Sequence, residues 1–319
     1  MNFDHLVDKA SWPAINDMEP FELDHAALPA HRQKSLEQSR SDRLGYKPTK
    51  IIKVPNLYDG HEVELRIFGD LTGDPKPAIF HIHGGGYIFG TAENGDDDNW
   101  LMAQDNNCII VATEYRKSPE VPFPKPLEDC YSALYWLYNE GAKIGVDVNK
   151  IILTGESAGG GLAAATALML HDKAEIKIVG QVLIYPMSDH RTGGHLDPNS
   201  NPNPTTGQYC WTREFNQFGW AAYQGNYQLE NADNGYFSPS LRKNLTGIAP
   251  LYLATGALDL FLEENMAYCA RASIAGVPME LHVYPGAIHG FFHFADSSIA
   301  RKFYADRKAA FNCFWGREQ

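Results

Sequence analysis

The segment Lys150-Ile151-Ile152-Leu153-Thr154-Gly155-Glu156-Ser157-Ala158-Gly159 constrains this chain more than any other. A mainly apolar run leads into Gly-Glu-Ser-Ala-Gly. A small-residue, helix-prone stretch, Gly160 to Leu170, follows it. The pattern predicts a strand, a tight turn and a helix, with a serine at the apex. Such a turn lifts the hydroxyl clear of a sheet, and the glycines leave room where side chains would clash. The backbone N–H of Ala158 is then free to face a developing negative charge, near the positive end of the helix.

The rest of the chain supplies the sheet that such a turn needs. Ile51–Leu57 and Glu62–Phe68 read as strands joined by a turn at Tyr58-Asp59-Gly60. Ala78–His83, Cys108–Thr113, Ile151–Thr154, Ile176–Tyr185, Leu251–Ala254 and Met279–Tyr284 read as buried strands. Helical patterns lie over Pro126–Tyr138, Leu262–Ile274 and Ser298–Phe314, with a weaker one over Ala30–Leu44. Alternating strands and helices predict an α/β fold with a mostly parallel sheet flanked by helices. With 319 residues, 44% of them hydrophobic, one large domain with an insertion can bury its core. The alternation stops between Pro186 and about Pro239, in a stretch rich in Asn, Pro, Gly and aromatics. It interrupts the sheet where ligands sit in open α/β folds, so it is expected to form a lid.

A serine hydroxyl is a weak nucleophile at neutral pH and needs a base oriented by a carboxylate. Asp259 follows the strand Leu251–Ala254, and His289 follows the strand Met279–Tyr284. Both loops fall on the edge that carries Ser157 if the strands are parallel. Asp259 also suits a cap for the helix near Leu262, and Glu263 is a rival acid. His289, between Pro285-Gly286 and Gly290, is preferred as the base over His282 within a strand and His293 past the turn.

His83-Gly84-Gly85-Gly86 ends another strand on the same edge. Consecutive glycines let a chain turn its N–H groups inward. Gly84, Gly85, Gly86 and Ala158 are therefore assigned to an oxyanion site, with the N–H groups of Gly85, Gly86 and Ala158 as donors. Each donor lost at such a site costs about 2.7–4 kcal/mol of transition-state stabilisation. A phosphate loop would carry a following Lys-Ser/Thr or the GxGxxG spacing, and neither is present.

A formal charge of −12 argues against nucleic acid and anionic membrane surfaces as partners. No apolar run approaches a bilayer-spanning length. Five widely spaced cysteines without a CxxC pair read as reduced thiols, so a cytoplasmic protein is expected, with no zinc site. His190, His195 and Asp189 lie at irregular spacing in a Gly-rich segment and read as a solvated loop, not a metal site.

Taken together, His83–Gly86, Tyr115–Pro124, Gly155–Gly160, Asp259 and His289-Gly290-Phe291 resemble the hormone-sensitive-lipase-like family of carboxylesterases, from about Ile51 onward. The resemblance implies an α/β-hydrolase fold. Residues 1–48 would form an N-terminal cap segment and 187–239 an inserted one, around a catalytic domain of 49–186 and 240–319. It implies hydrolysis of small-molecule esters through Ser157, Asp259 and His289, with no cofactor, and pairing of two copies. An amidase or deacetylase would use the same triad, and a receptor of this build would have lost a member of it. Two positions depart from the family pattern. Glu156 stands where Asp is usual, and Lys117-Ser118 where apolar residues are usual. His83 and Glu156 are expected to support the site, and Arg116 and Glu120 to brace the glycine loop.

Overall fold

A computed structural model describes residues 3–18, 22–199, 202–294 and 296–317. The two cap segments expected from the sequence contain residues 1–2, 19–21 and 200–201, which lie outside the described residues. Strands β1 (Lys50–Pro55), β2 (Glu62–Phe68), β3 (Lys76–Ile82), β4 (Ile109–Glu114), β5 (Val146–Glu156), β6 (Gly180–Ile184), β7 (Leu251–Gly256) and β8 (Met279–Tyr284) form one sheet. Their spatial order is β1-β2-β4-β3-β5-β6-β7-β8. β2 runs antiparallel to both neighbours, and every pairing from β4 to β8 is parallel. The helices are α1 (Trp12–Asp17), α2 (Leu28–Ser41), α3 (Asp96–Asn106), α4 (Lys125–Glu140), α5 (Ala158–Lys173), α6 (Arg213–Gln224), α7 (Leu262–Ile274) and α8 (Ser298–Trp315).

Helices cover both sheet faces, which is why the central strands read as continuous apolar runs. Leu134 of α4, Leu162 of α5 and Tyr268 of α7 join the core on one face. Met102 of α3 and Phe303 and Phe311 of α8 join the core on the other. α5 is buried from Ala158 to Leu170, so it is apolar on all sides. Its small residues let it press against the strand ends: a Cβ on Gly159 would stand 2.1 Å from the Ile82 carbonyl oxygen.

The α/β architecture expected from the sequence is the one observed, with local differences. β1 stops at Pro55 because Asn56 begins a turn, its Oδ1 accepting from the Tyr58 and Asp59 N–H groups. β6 starts at Gly180, four residues later than expected. The Phe314 ring lies 2.4 Å from where a Cβ on Gly180 would stand, so the sheet opens to a side chain only beyond it.

The N-terminal segment packs over the strand ends. Leu28 of α2 buries against Ile88 and Ala222. Val7 buries against Leu258 and Ile288, in the loops that follow β7 and β8. Among the described residues no helix is long and apolar enough to cross a membrane.

Candidate active site

Three parallel strands deliver three polar side chains to one rim. β5 ends at Glu156, and Ser157 turns the chain into α5 with φ 54° and ψ −123°. A non-glycine residue adopts this conformation only where its surroundings enforce it. The Ser157 N–H donates to the Ile184 carbonyl at 2.9 Å, and the Ser157 carbonyl accepts from Gly161 and Met187. These bonds hold the apex in place.

Ser157 Oγ lies 3.0 Å from Nε2 of His289, and Nδ1 of His289 lies 2.8 Å from Oδ2 of Asp259. Asp259 is buried to 1% exposure, and its other oxygen accepts from the Phe261 N–H at 2.9 Å. That bond fixes the turn before α7 without displacing the imidazole contact, so the capping role and the orienting role coexist. The His289 ring is walled by Tyr185 at 4.5 Å and Phe261 at 5.3 Å between centroids. The rival residues lie elsewhere. Glu263 accepts from Asn203, and His282 contacts Glu280 and Asp306. His293 packs its ring on Phe292 at 4.2 Å between centroids.

The glycine loop after β3 faces the same serine. Gly85 and Gly86 both take positive φ, 119° and 59°. A Cβ on Gly86 would stand 2.0 Å from the Trp211 ring, so the indole seals that side of the loop. Among the described residues the N–H groups of Gly85, Gly86 and Ala158 have no protein acceptor, as an oxyanion site requires. Gly84 differs from the expectation: its N–H donates to Glu156 Oε1 at 2.8 Å and is not available to an oxyanion.

Glu156 supports the loop in this way, and its longer side chain gains a second partner. Oε2 lies 2.8 Å from Nε2 of His81. Burial opposes charge on Glu156, but the His81 imidazole and the Gly84 N–H outweigh it and hold the carboxyl at about 2. His81 was not legible in the sequence: it reads as one more residue of a buried strand, and only the packing of β3 beside β5 brings it to Glu156. His83 stacks on Tyr115 at 4.3 Å, and its carbonyl accepts from the Tyr115 hydroxyl at 3.0 Å. Burial lowers the basicity of His83, so it serves as neutral packing beneath the loop.

Two expectations require correction. Arg116 does not brace the glycine loop. Its guanidinium forks onto buried Asp129 at 2.8 and 2.7 Å and reaches Asp59 at 2.9 Å, tying the end of β4 to α4 and to the β1–β2 turn. A planar fork matches a carboxylate in this way, and Asp129 offers the nearest one. Glu120 does not touch the loop either. It pairs with Arg32 of α2 at 2.7 Å. Arg32 is the brace, donating to the carbonyls of Ile88 and Ser118 at 2.6 Å each. A carboxylate has no proton to give to a carbonyl, whereas a guanidinium has five N–H donors. The Lys117-Ser118 segment reaches the loop through the Ser118 N–H, which donates to the Tyr87 carbonyl at 3.0 Å.

The serine, the histidine and the glycine loop line a cavity of about 900 Å³, together with Met18, Cys210 and Trp211. Trp211, within the 187–239 stretch, therefore reaches the site. Asp189 pairs with Arg191, while His190 contacts Ser238 and the Phe237 ring. Among the described residues no group of His, Cys, Asp or Glu is arranged to hold a metal ion.

Residues 79–293 match a family model described as alpha/beta hydrolase fold. The chain is similar to an ethyl acetate hydrolase of Pseudomonas putida, 30% identical over 73% of this chain and 72% of that protein. It is similar to an arylesterase of Saccharolobus solfataricus, 26% identical over 73% and 74% of the two chains. A solved bacterial heroin esterase superposes with a TM-score of 0.87 at 28% identity, covering 98% of this chain and 99% of that one.

Proposed function

This chain belongs to the alpha/beta hydrolase family, and from that premise we propose that it is a serine carboxylesterase acting on small uncharged esters through an acyl-enzyme. The observation that carries the reading is the hydrogen-bonded line Ser157–His289–Asp259, at 3.0 and 2.8 Å, beside a loop with unspent N–H groups. Similarity to proteins named ethyl acetate hydrolase, arylesterase and heroin esterase supports ester bonds as the target.

Ser157 Oγ attacks the ester carbonyl as His289 Nε2 takes its proton. Asp259 holds the imidazole in the required tautomer and stabilises its cation. The N–H groups of Gly85, Gly86 and Ala158 receive the tetrahedral oxyanion. His289 returns the proton to the leaving alcohol. A water molecule then repeats the sequence on the acyl-serine and releases the acid.

The N-terminal helices and the 187–239 stretch act as the cap, a reading supported by Met18, Cys210 and Trp211, which line the cavity that holds the serine. Five free cysteines, three of them buried, support the reducing cytoplasm as its compartment.

Two assays test the reading. Ser157→Ala is expected to lose at least about 10³-fold in kcat on p-nitrophenyl acetate. An ester is expected to outpace its matched amide. Retained turnover in the alanine variant would remove Ser157 as nucleophile, and a faster amide would move the chain to the amidases.

A further inference from the structure

The cavity continues past Ser157 in an arm toward α3 and α8, where polar side chains stand among the apolar ones that a helix-packed sheet ordinarily presents. Thr154, Glu156 and His81 form its floor, Asn99 of α3 one wall, and Tyr304 and Arg307 of α8 the other. The residues that α3 buries are Asp96, Asn99, Met102, Ala103 and Asn106, so two asparagines interrupt its inner face.

Asn99 is 0% exposed, yet among the described residues neither its Nδ2 nor its Oδ1 has a partner. His81 spends Nε2 on Glu156, and its Nδ1 has none. Asn106 donates Nδ2 to the Met102 carbonyl, while its Oδ1 is unpaired. The Asn99 amide and the edge of the His81 ring converge above Gly95. A point one Cβ out from Gly95 lies 3.1 Å from Asn99 Nδ2 and 3.8 Å from His81 Cε1.

Buried donors and acceptors left without partners are costly, so a cleft that collects them is built for something that pairs with them. The groups are matched to a neutral guest. Glu156, the one carboxylate of its floor, is already paired with His81. An amide offering one donor and one acceptor side by side suits hydroxyl groups, which do both.

We propose that this arm is a subsite for the polyhydroxylated, monosaccharide-sized portion of an ester substrate, held by Asn99 and His81 while its acyl group lies at Ser157. The proposal rests on the ester-hydrolase reading and names the substrate class for the same cavity. Asn99 and His81 act in binding, and the bond broken remains the ester C–O at Ser157.

The test compares 6-O-acetyl-D-glucose with cyclohexylmethyl acetate, which keeps the acetyl–O–CH2 linkage and the ring but lacks the hydroxyls. p-Nitrophenyl acetate is run beside them. Wild-type protein is expected to favour the sugar ester by about tenfold or more in kcat/KM, because a site built to hydrogen-bond rejects the analogue that cannot. Free D-glucose is expected to inhibit p-nitrophenyl acetate hydrolysis competitively. In Asn99→Leu the preference is expected to collapse through a raised KM for the sugar ester, with the glucose inhibition lost. The wild-type measurements stand alone if that variant does not fold. Hydrolysis of p-nitrophenyl acetate with no sugar preference and no glucose inhibition means that only water fills the arm, and overturns the subsite alone. Absence of hydrolysis of all three esters removes the esterase reading as well.

Discussion

Ser157 and Glu156 are neighbours in sequence with opposite tasks. Ser157 carries a backbone conformation that costs free energy, and Glu156 carries a buried charge that holds the adjoining loop. The glutamate lies well below its ordinary value of 4.5, at about 2, against the opposing effect of burial and because of His81 and the Gly84 N–H. A carboxyl depressed in the folded state stabilises the fold above its unfolded value, and that contribution fades as pH falls toward the folded one. Wild-type protein is therefore expected to lose unfolding free energy more steeply between about pH 4.5 and pH 2 than Glu156→Gln does. Denaturant titrations of both proteins across that range check it. Parallel slopes would mean that the carboxylate is not charged in the folded chain. Glu156 was legible as a departure from the family pattern. Its partner was not, because a strand histidine gives no sign of which neighbouring strand will face it.

The elements that carry the site lie where the sequence put them, because each ends on a local signal. β8 ends at Tyr284, just before Pro285-Gly286, and α8 opens behind Ser297, whose Oγ accepts from the Ile299 and Ala300 N–H groups. The glycine loop was legible in outline, but its bracing was not. Arg116 lay within the recognised motif, yet the buried carboxylate of Asp129 claims it. Arg32 lies 56 residues before the Ile88 carbonyl it holds, in a helix with only weak periodicity, so no local pattern announced it. This latch ties α2 to the loop. Arg32→Ala is expected to destabilise the protein by about 1–3 kcal/mol, since charge-assisted bonds to the Ile88 and Ser118 carbonyls and to Glu120 are lost. Limited proteolysis of the variant is expected to cut first in the N-terminal segment. A denaturation midpoint and cleavage pattern equal to the wild type would show that α2 is held by its apolar contacts alone.

At the scale of the whole molecule, one cavity of about 900 Å³ lies between the α/β core and the segments packed over it. That volume takes a small ester whole, and Trp211 against Gly86 limits growth on one side of the serine. Rates on p-nitrophenyl esters are expected to peak at short to medium acyl chains and to fall by about ten carbons. A rate still climbing at that length would place the acyl chain outside this cavity. Catalysis by this site depends above all on the Ser157 hydroxyl being the group that the imidazole activates. The most direct measurement treats the folded protein with a fluorophosphonate and maps the adduct by peptide mass spectrometry while following residual hydrolysis. One phosphonyl group on the Ser157 peptide, appearing in step with loss of activity, is the predicted result. Inactivation with the adduct on another residue, or ester hydrolysis by protein that stays unlabelled, would contradict it.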